Sequence, residues 1–259
     1  MLESLKKKIC LITGARTGIG LSIGLTLARN SHRVIFSGRK INDCNDTVNQ
    51  LVADGFEAVE APIDLSNLSS LKTQTETALS IWGSIDILIN NGAVIEPISL
   101  IEKLDVQNFE NAVRVNYLAP SLLISYCWNN FIKNQGKVIN ILSGASVNPI
   151  EGWTAYCSTK AALHMINQQT HLEGNKYGIT SIGISPGMVD TEMQGKIRAS
   201  GVNQISKVKK EDLINTKKPG LFALWCASPE ANQFSGEMIS ENDPQVKAKY
   251  KAWIKTQKQ

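Results

Sequence analysis

Short apolar runs alternate along this chain with longer segments in which apolar residues recur every three or four positions. The first run, residues 8–13, is followed by Ile19, Ile23 and Leu27, which share one face of a helix. Further runs that predict strands lie at 34–36, 58–59, 85–89, 137–142, 179–184 and 237–240. Strands that alternate with helices predict an α/β fold, in which helices cover both faces of a doubly wound parallel sheet of about seven strands.

Two long segments, 105–132 and 156–177, are predicted to be helical, with a bend at Pro120 in the first. Residues 190–218 are polar and carry no sustained strand pattern, so they are predicted to form a mobile lid over the edge of the sheet. We find no internal repeat, low-complexity tract or linker. The whole chain, 1–259, is therefore expected to be a single domain.

Composition and charge exclude several classes of protein. Hydrophobic residues make up 42% of the chain and charged residues 19%, which suits a soluble globule with a sizeable core. The net charge is +4 and no dense basic stripe occurs, so nucleic acid is not an expected partner. No apolar run approaches the ~18 residues that a membrane span needs. A membrane is therefore not an expected partner, and the cytoplasm is the expected location.

Cysteine and histidine usage gives no sign of a disulfide framework or a metal site. An odd number of cysteines without a C-x-x-C pair, in a chain with no signal peptide, predicts reduced thiols in an intracellular protein. The three histidines, His32, His164 and His171, lack the spacing of metal ligands. No metal is therefore expected.

A glycine-rich turn separates the first predicted strand from the first helix. Glycines let the backbone approach a pyrophosphate, and the start of a helix offers free N–H groups and a positive dipole end. Three residues lie between the first two glycines, so the spacing differs from the G-x-G-x-x-G of two-domain dehydrogenases. A structural turn has the same composition, so this motif alone is weak evidence. The predicted dinucleotide contacts in it are Gly14, Arg16, Thr17, Gly18, Ile19 and Gly20.

A hydroxyl, a phenol and an ammonium group are predicted to meet near the end of a strand. Tyr156 and Lys160 are four residues apart, which places them on one face of a helix. Ser143 directly follows the strand at 137–142. Since ligands of open α/β sheets bind at the carboxyl edge, the strand end and the helix would bring these side chains together at a binding site.

Three further motifs complete a pattern: Asn90-Asn91-Gly92-Ala93 at a strand end, Asn116 in a helix, and the segment 185–191 after another strand. With them, the chain resembles the short-chain dehydrogenase/reductase family over nearly its full length. The resemblance implies a single-domain Rossmann-type fold that binds a dinucleotide and catalyses oxidoreduction. It also implies further cofactor contacts at Asp64, Leu65, Asn91, Gly92, Pro186, Gly187, Val189 and Thr191, with Asp64 and Leu65 near the adenine.

The resemblance assigns a role to each of four catalytic side chains. Tyr156 would donate a proton to the substrate carbonyl oxygen, and Ser143 would hold that oxygen. Lys160 would bind the nicotinamide ribose, and Asn116 would keep a water relay to Lys160. The physical chemistry agrees, because an adjacent ammonium is expected to lower the pKa of the Tyr156 phenol toward neutrality from its ordinary value of about 10.

Three positions depart from the family pattern. The usual Asn-Asn-Ala-Gly stands as Asn-Asn-Gly-Ala, which moves the glycine to position 92. Gly144 follows Ser143 where the family often has a second serine, and Arg16 lies one place earlier than the common basic residue of the glycine-rich turn. None of these departures removes a catalytic group.

The end of the second strand predicts the cofactor. An NAD enzyme places a carboxylate there for the ribose 2′-hydroxyl, whereas an arginine accommodates a 2′-phosphate. No carboxylate occurs between residues 33 and 42. Arg39, with Ser37 and Arg16, is therefore predicted to bind the 2′-phosphate of NADPH or NADP+; a solvated turn residue is the alternative for Arg39.

Within the family, the segments 143–153 and 186–194 look like the branch that contains sepiapterin reductase and the yeast benzil reductases, which reduce ketones or diketones with NADPH. Ile150, Trp153 and the two methionines Met188 and Met193 would form a pocket for an apolar or aromatic carbonyl compound. By the same resemblance, the helices 105–132 and 156–177 would pair with their copies in a homodimer or homotetramer.

Other functions compete with this interpretation. The segment Gly183-Ile184-Ser185-Pro186-Gly187 matches the G-x-S-x-G elbow of serine hydrolases, but Pro186 has no N–H for an oxyanion hole and every histidine precedes Ser185. A non-catalytic NADPH-binding regulator and an NAD(H)-linked alcohol dehydrogenase of the same family remain as alternatives.

Overall fold

The computed structural model describes residues 7–257, and its centre is one sheet of seven parallel strands. The strands are β1 (Ile9–Thr13), β2 (Arg33–Ser37), β3 (Ala58–Glu60), β4 (Ile87–Asn90), β5 (Lys137–Ile141), β6 (Thr180–Ile184) and β7 (Met238–Ile239). Their order is β3-β2-β1-β4-β5-β6-β7, so the strand order reverses between β1 and β4. This topology confirms the predicted doubly wound α/β fold.

Helices cover both faces of the sheet. They are α1 (Gly18–Arg29), α2 (Asn45–Ala53), α3 (Leu71–Trp82), α4 (Val106–Val113), α5 (Ala119–Asn134), α6 (Thr154–Gly174), α7 (Glu192–Ser200), α8 (Lys217–Ala227) and α9 (Pro244–Thr256). Successive residues of β1 enter different cores, because side chains alternate along a strand. Ile12 packs in one core with Ile23 of α1, and Leu11 packs in the other with Leu123 of α5.

The predicted helix 105–132 contains an interruption. A π-helical turn, Arg114–Leu118, joins α4 to α5, and Pro120 is the second residue of α5. Because Pro120 has no N–H, the carbonyl of Asn116 lacks the donor that an α-helix would give it. The missing hydrogen bond therefore falls in the π-helical turn before Pro120, whereas the sequence predicts only a bend at the proline.

The predicted lid, 190–218, contains regular structure. It begins with α7 and continues through two short 3-10 turns. Its far end returns to the sheet edge, where Val189 and Ile214 form a parallel β-bridge. Asn203 Nδ2 donates a hydrogen bond of 2.7 Å to the Glu151 carbonyl, so the segment also packs on the turn that precedes α6. Its mobility stays a prediction.

No helix within residues 7–257 is both long and apolar enough to cross a membrane. No group of three or more potential ligands for a metal ion occurs in the same range. The five cysteines are free thiols.

Candidate active site

A cleft of about 990 Å³ opens at the carboxyl edge of the sheet. It lies where the strand order reverses, which is the usual ligand position in open α/β sheets. The glycine-rich turn forms one wall, the segments after β4, β5 and β6 form the floor, and α7 covers one side.

Glycine is required at two positions of the turn at the start of α1. Gly14 and Gly18 have φ values of +62° and +61°, which side chains with a Cβ rarely adopt. A Cβ at Gly14 would also lie 2.7 Å from the Cα of Gly92. The turn therefore leaves its backbone open to a ligand because these residues have no side chains.

The segment after β4 is tied to this turn. Asn91 Nδ2 donates to the carbonyl oxygens of Thr13 and Gly14 at 2.9 and 3.0 Å. The Thr13 hydroxyl accepts from the N–H of Asn91 and of Gly92, both at 3.1 Å. A Cβ at Gly92 would lie 2.6 Å from Leu65 Cδ1, which explains why glycine suits this position although the family pattern has alanine there.

Three elements place the predicted catalytic side chains in the cleft. Ser143 follows β5, and its hydroxyl accepts from the Ala145 N–H at 3.2 Å. Tyr156 and Lys160 lie one turn apart near the start of α6, and both are buried. Lys160 Nζ lies 5.8 Å from the centroid of the Tyr156 ring and donates to the Ile141 carbonyl at 2.6 Å. All three side chains line the cleft.

The pKa of Tyr156 moves opposite to the prediction from sequence. Burial raises the pKa of Tyr156 to about 12, although a hydrogen bond with the Ser143 hydroxyl acts to lower it. Burial also lowers the pKa of Lys160 to about 8. The expected lowering of the Tyr156 pKa is therefore wrong, because desolvation disfavours the charged form of both groups. The phenol is protonated at neutral pH, which is the form that can donate a proton.

The Asn116 side chain is fully buried and lies outside the cleft lining. Its Oδ1 accepts from the Val94 N–H, and its Nδ2 donates to the Val94 carbonyl, both at 2.8 Å. Nδ2 also donates to the Thr159 hydroxyl at 3.1 Å. The side chain thus fixes the β4 segment against α6, and only the backbone carbonyl is left for the predicted water relay.

Basic side chains collect at the end of the cleft next to β2. Arg16, Arg39 and Lys40 line it there. So does Asp43, whose Oδ2 accepts from the N–H of Arg39 and Lys40 at 2.8 and 2.9 Å. The Lys40 N–H most strongly lowers the pKa of Asp43; burial opposes it, and Arg39 and Arg16 lower it further. The sequence reasoning missed Asp43, although an aspartate just before a helix is a common loop cap.

Four predicted cofactor residues do not line the cleft. Ser37 is completely buried, so its hydroxyl cannot contact a phosphate in this structure. A Cβ at Gly20 would lie 2.4 Å from the Gly14 carbonyl, so this glycine serves packing within the turn. Asp64 accepts from the Ser66 hydroxyl at 2.6 Å, and Leu65 packs against Gly92. The predicted adenine contacts of Asp64 and Leu65 stay predictions.

The rest of the predicted site residues line the cleft. They include the four residues of the predicted apolar pocket and the predicted cofactor contacts that follow β6. Trp153 packs edge-on against Tyr156, with ring centroids 5.7 Å apart at 84°. The residues concerned are Thr17, Ile19, Ile150, Trp153, Pro186, Gly187, Met188, Val189, Thr191 and Met193.

An ion pair closes one side of the cleft. Lys196 of α7 contacts Glu96 at 2.5 Å, and both line the cleft. Burial acts to raise the pKa of Glu96, but the contact with Lys196 and the N–H groups of Glu96 and Ile95 together hold this pKa below its usual value. No local motif could have revealed this pair, since the two residues are far apart in the sequence.

The arrangement does not support serine hydrolysis. Ser185 lines the cleft, but none of the three histidines lies among the lining residues that the structure describes. His32 instead lies at the opposite end of the sheet, where its Nδ1 accepts from the Lys8 N–H at 3.2 Å.

The chain is similar to known oxidoreductases over most of its length. Residues 8–201 match the family described as short chain dehydrogenase. The benzil reductase ((S)-benzoin forming) of Bacillus subtilis (strain 168) is 32% identical over 219 residues, covering 80% of this chain and 85% of that protein. Among solved structures, the KRED1-Pglu enzyme has a TM-score of 0.81 at 26% identity and covers 90% of this chain and 100% of its own. A gluconate 5-dehydrogenase from Burkholderia cenocepacia J2315, solved with NADP and tartrate, has a TM-score of 0.79 at 21% identity, covering 93% and 95%.

Proposed function

The chain belongs to the short chain dehydrogenase family, and on that basis we propose that it is an NADPH-dependent reductase that converts a ketone or a diketone to an alcohol. One observation carries the proposal: a buried, protonated Tyr156 lies with Ser143 and Lys160 in the cleft beside the glycine-rich turn. The similarity to a protein named benzil reductase supports a carbonyl substrate.

Each catalytic side chain has a defined task in this reaction. Tyr156 donates its phenolic proton to the carbonyl oxygen of the substrate, because the raised pKa keeps that proton in place until the oxygen becomes basic. Ser143 donates a hydrogen bond to the same oxygen. Lys160, when charged, stabilises the phenolate that proton transfer leaves on Tyr156. When bound, the dinucleotide supplies the hydride that reduces the carbonyl carbon.

The residues of the cleft fit a dinucleotide. The backbone at Gly14 and Gly18 and the start of α1 line the cleft and suit a pyrophosphate. Arg16, Arg39 and Lys40 suit the 2′-phosphate of NADPH. Two carboxylates lie near them: Asp43, which accepts from the Arg39 and Lys40 N–H groups, and Glu192, which pairs with Arg16 at 3.4 Å.

The same Asp43 is the observation that favours the rival cofactor. A carboxylate near the end of β2 is the feature by which NAD(H) enzymes bind the ribose 2′-hydroxyl. We favour NADPH because Asp43 is already held by the Arg39 and Lys40 N–H groups, while the Arg39 and Lys40 side chains line this end of the cleft together with Arg16.

Arg39→Ala should therefore lower kcat/KM for NADPH at least ~10-fold and change kcat/KM for NADH little, because a charge-assisted hydrogen bond to the 2′-phosphate contributes about 1.5–3 kcal/mol. The measurement is the loss of cofactor absorbance with each cofactor and a fixed diketone. Lys72→Ala, on the exposed side of α3, is the control. An unchanged NADPH to NADH ratio in Arg39→Ala would show that Arg39 is a solvated turn residue.

The activity itself is tested by NADPH consumption with a panel of ketones and diketones. Turnover separates a reductase from a protein that only binds NADPH. Oxidation of simple alcohols with NAD+ in preference to this reaction would favour the NAD(H)-linked alternative.

We propose further that two copies associate through α4, α5 and α6. Met165 and Leu172 of α6 are 60% and 71% exposed and lie seven residues apart, on one face of the helix. Val106 of α4 is 66% exposed. Large apolar side chains that share a helix face indicate a surface that a second copy covers.

Light scattering is therefore expected to give at least twice the 28.3 kDa of one chain at micromolar concentration. Met165→Glu with Leu172→Glu should shift the species toward 28.3 kDa, because a buried unpaired carboxylate opposes association. Val52→Glu, an exposed apolar position on α2, is the matched control. A wild-type protein that is only monomeric would contradict the assembly.

A further inference from the structure

One ion pair crosses the cleft at its cofactor end. Arg16 of the glycine-rich turn and Glu192, the first residue of α7, lie 3.4 Å apart from Nη2 to Oε2. Both residues line the cleft, and they belong to different walls of it. Their side chains are 54% and 65% exposed, so each can change its partner without disturbing the core.

Arg16 is the one base of its cluster that a carboxylate already occupies. Within residues 7–257, the Arg39 and Lys40 side chains form no ion pair. The Lys40 N–H most strongly lowers the pKa of Asp43, and the charge of Arg16 lowers it further. Arg16 therefore lies near both the segment after β2, where a 2′-phosphate is expected, and the start of α7.

The two carboxylates near these bases differ in what holds them. Asp43 accepts from two backbone N–H groups, at 2.8 and 2.9 Å, so its own loop satisfies its charge. Glu192 has the Arg16 guanidinium as its only hydrogen-bond partner among the described residues. The positive end of the α7 dipole also favours a carboxylate at its first residue, so Glu192 can stay charged when Arg16 leaves it.

We propose that Glu192 sets how strongly this chain prefers NADPH, because its carboxylate competes with the 2′-phosphate for the Arg16 guanidinium. NADPH exchanges the carboxylate for its own phosphate when it binds, whereas NADH leaves the ion pair intact. The pair therefore opposes the binding of NADPH and does not oppose the binding of NADH. This inference rests on the proposed NADPH-dependent function.

The test measures binding and needs no turnover. Dissociation constants for NADPH and NADH, which differ only in the 2′-phosphate, are obtained by fluorescence titration of wild type, Glu192→Gln, Arg16→Gln and the double variant. Glu192→Gln should tighten NADPH binding about two- to fivefold and leave NADH binding unchanged, since an exposed ion pair contributes little free energy. Arg16→Gln should weaken NADPH binding, and adding Glu192→Gln to it should then bring no gain.

The matched control is Glu110→Gln on α4. Glu110 pairs with Arg114 at the same distance, 3.4 Å, with similar exposure, and neither residue lines the cleft. This variant should leave both dissociation constants unchanged.

Three results would overturn the competition and leave the NADPH-dependent reductase in place. A full gain from Glu192→Gln in the Arg16→Gln background would show that Glu192 repels the phosphate directly. Equal tightening of NADPH and NADH would assign the effect to the pyrophosphate that both cofactors share. Unchanged NADPH binding in either single variant would separate that residue from the 2′-phosphate. A wild-type protein that does not bind NADPH would contradict both proposals.

Discussion

Tyr156→Phe should lower kcat for carbonyl reduction by more than ~10²-fold while the affinity for NADPH changes little. The substitution removes one hydroxyl and keeps the ring that packs against Trp153. Because burial raises the pKa of Tyr156 to about 12, the phenol stays protonated throughout the usable pH range, and under the proposed mechanism its loss removes the acid from the reaction. Initial rates give kcat, and fluorescence titration gives the affinity for NADPH.

Tyr177→Phe, which removes the same hydroxyl from an exposed residue, should behave like wild type. Wild-type turnover in Tyr156→Phe would show that another group, or water, donates the proton. Equal losses of NADPH binding and of turnover would instead assign Tyr156 to cofactor binding alone.

The sequence predicts the scaffold of this site well, because strand and helix periodicity are local properties. The sequence predicts a strand, a turn and a helix from the run 8–13, Gly14 and the apolar pattern that follows. The structure has β1, the turn and α1 in this order. Parallel strands end at one edge, so Ser143 after β5 and Tyr156 near the start of α6 were expected to meet, and both line the cleft. Their roles stay predictions.

Properties that depend on tertiary packing could not be obtained this way. The pKa of Tyr156 follows from its burial, and sequence spacing to Lys160 carries no information on burial. Ser37 ends a predicted strand, but the structure turns its side chain into the interior. The contact of Glu96 with Lys196 joins the segment after β4 to α7, which only the folded chain brings together.

Under the proposed mechanism, Lys160→Met should also lower kcat by more than ~10²-fold, because it removes the charge that would stabilise the Tyr156 phenolate. Its effect on folding should be small, since burial of an ammonium costs free energy that methionine does not. The matched control is Lys137→Met. Lys137 is likewise buried, its pKa is also lowered to about 8 by burial, and it donates to the Cys226 and Ser228 carbonyls at the opposite end of the sheet.

The pH dependence separates the two lysines. Burial lowers the pKa of Lys160 to about 8, so reduction in the wild type should decline as pH rises through about 8 while Tyr156 stays protonated. Lys137→Met should keep this decline, and the residual activity of Lys160→Met should lose it. A wild-type profile that is flat from about pH 7 to 9.5 would show that the charge on Lys160 is not needed.

Stability should move with pH in the opposite direction to activity. Between the folded pKa of Lys160, about 8, and its ordinary value of 10.5, the unfolded chain binds a proton that the folded chain does not. The contribution of Lys160 to the free energy of unfolding therefore rises with pH across that interval. Thermal unfolding of the wild type and Lys160→Met at pH 7.5 and 9.5 measures the effect: the stability of the wild type relative to the variant should increase at the higher pH. A constant difference would mean that Lys160 has the same protonation in the folded and unfolded chain, and its charge would then persist above pH 8.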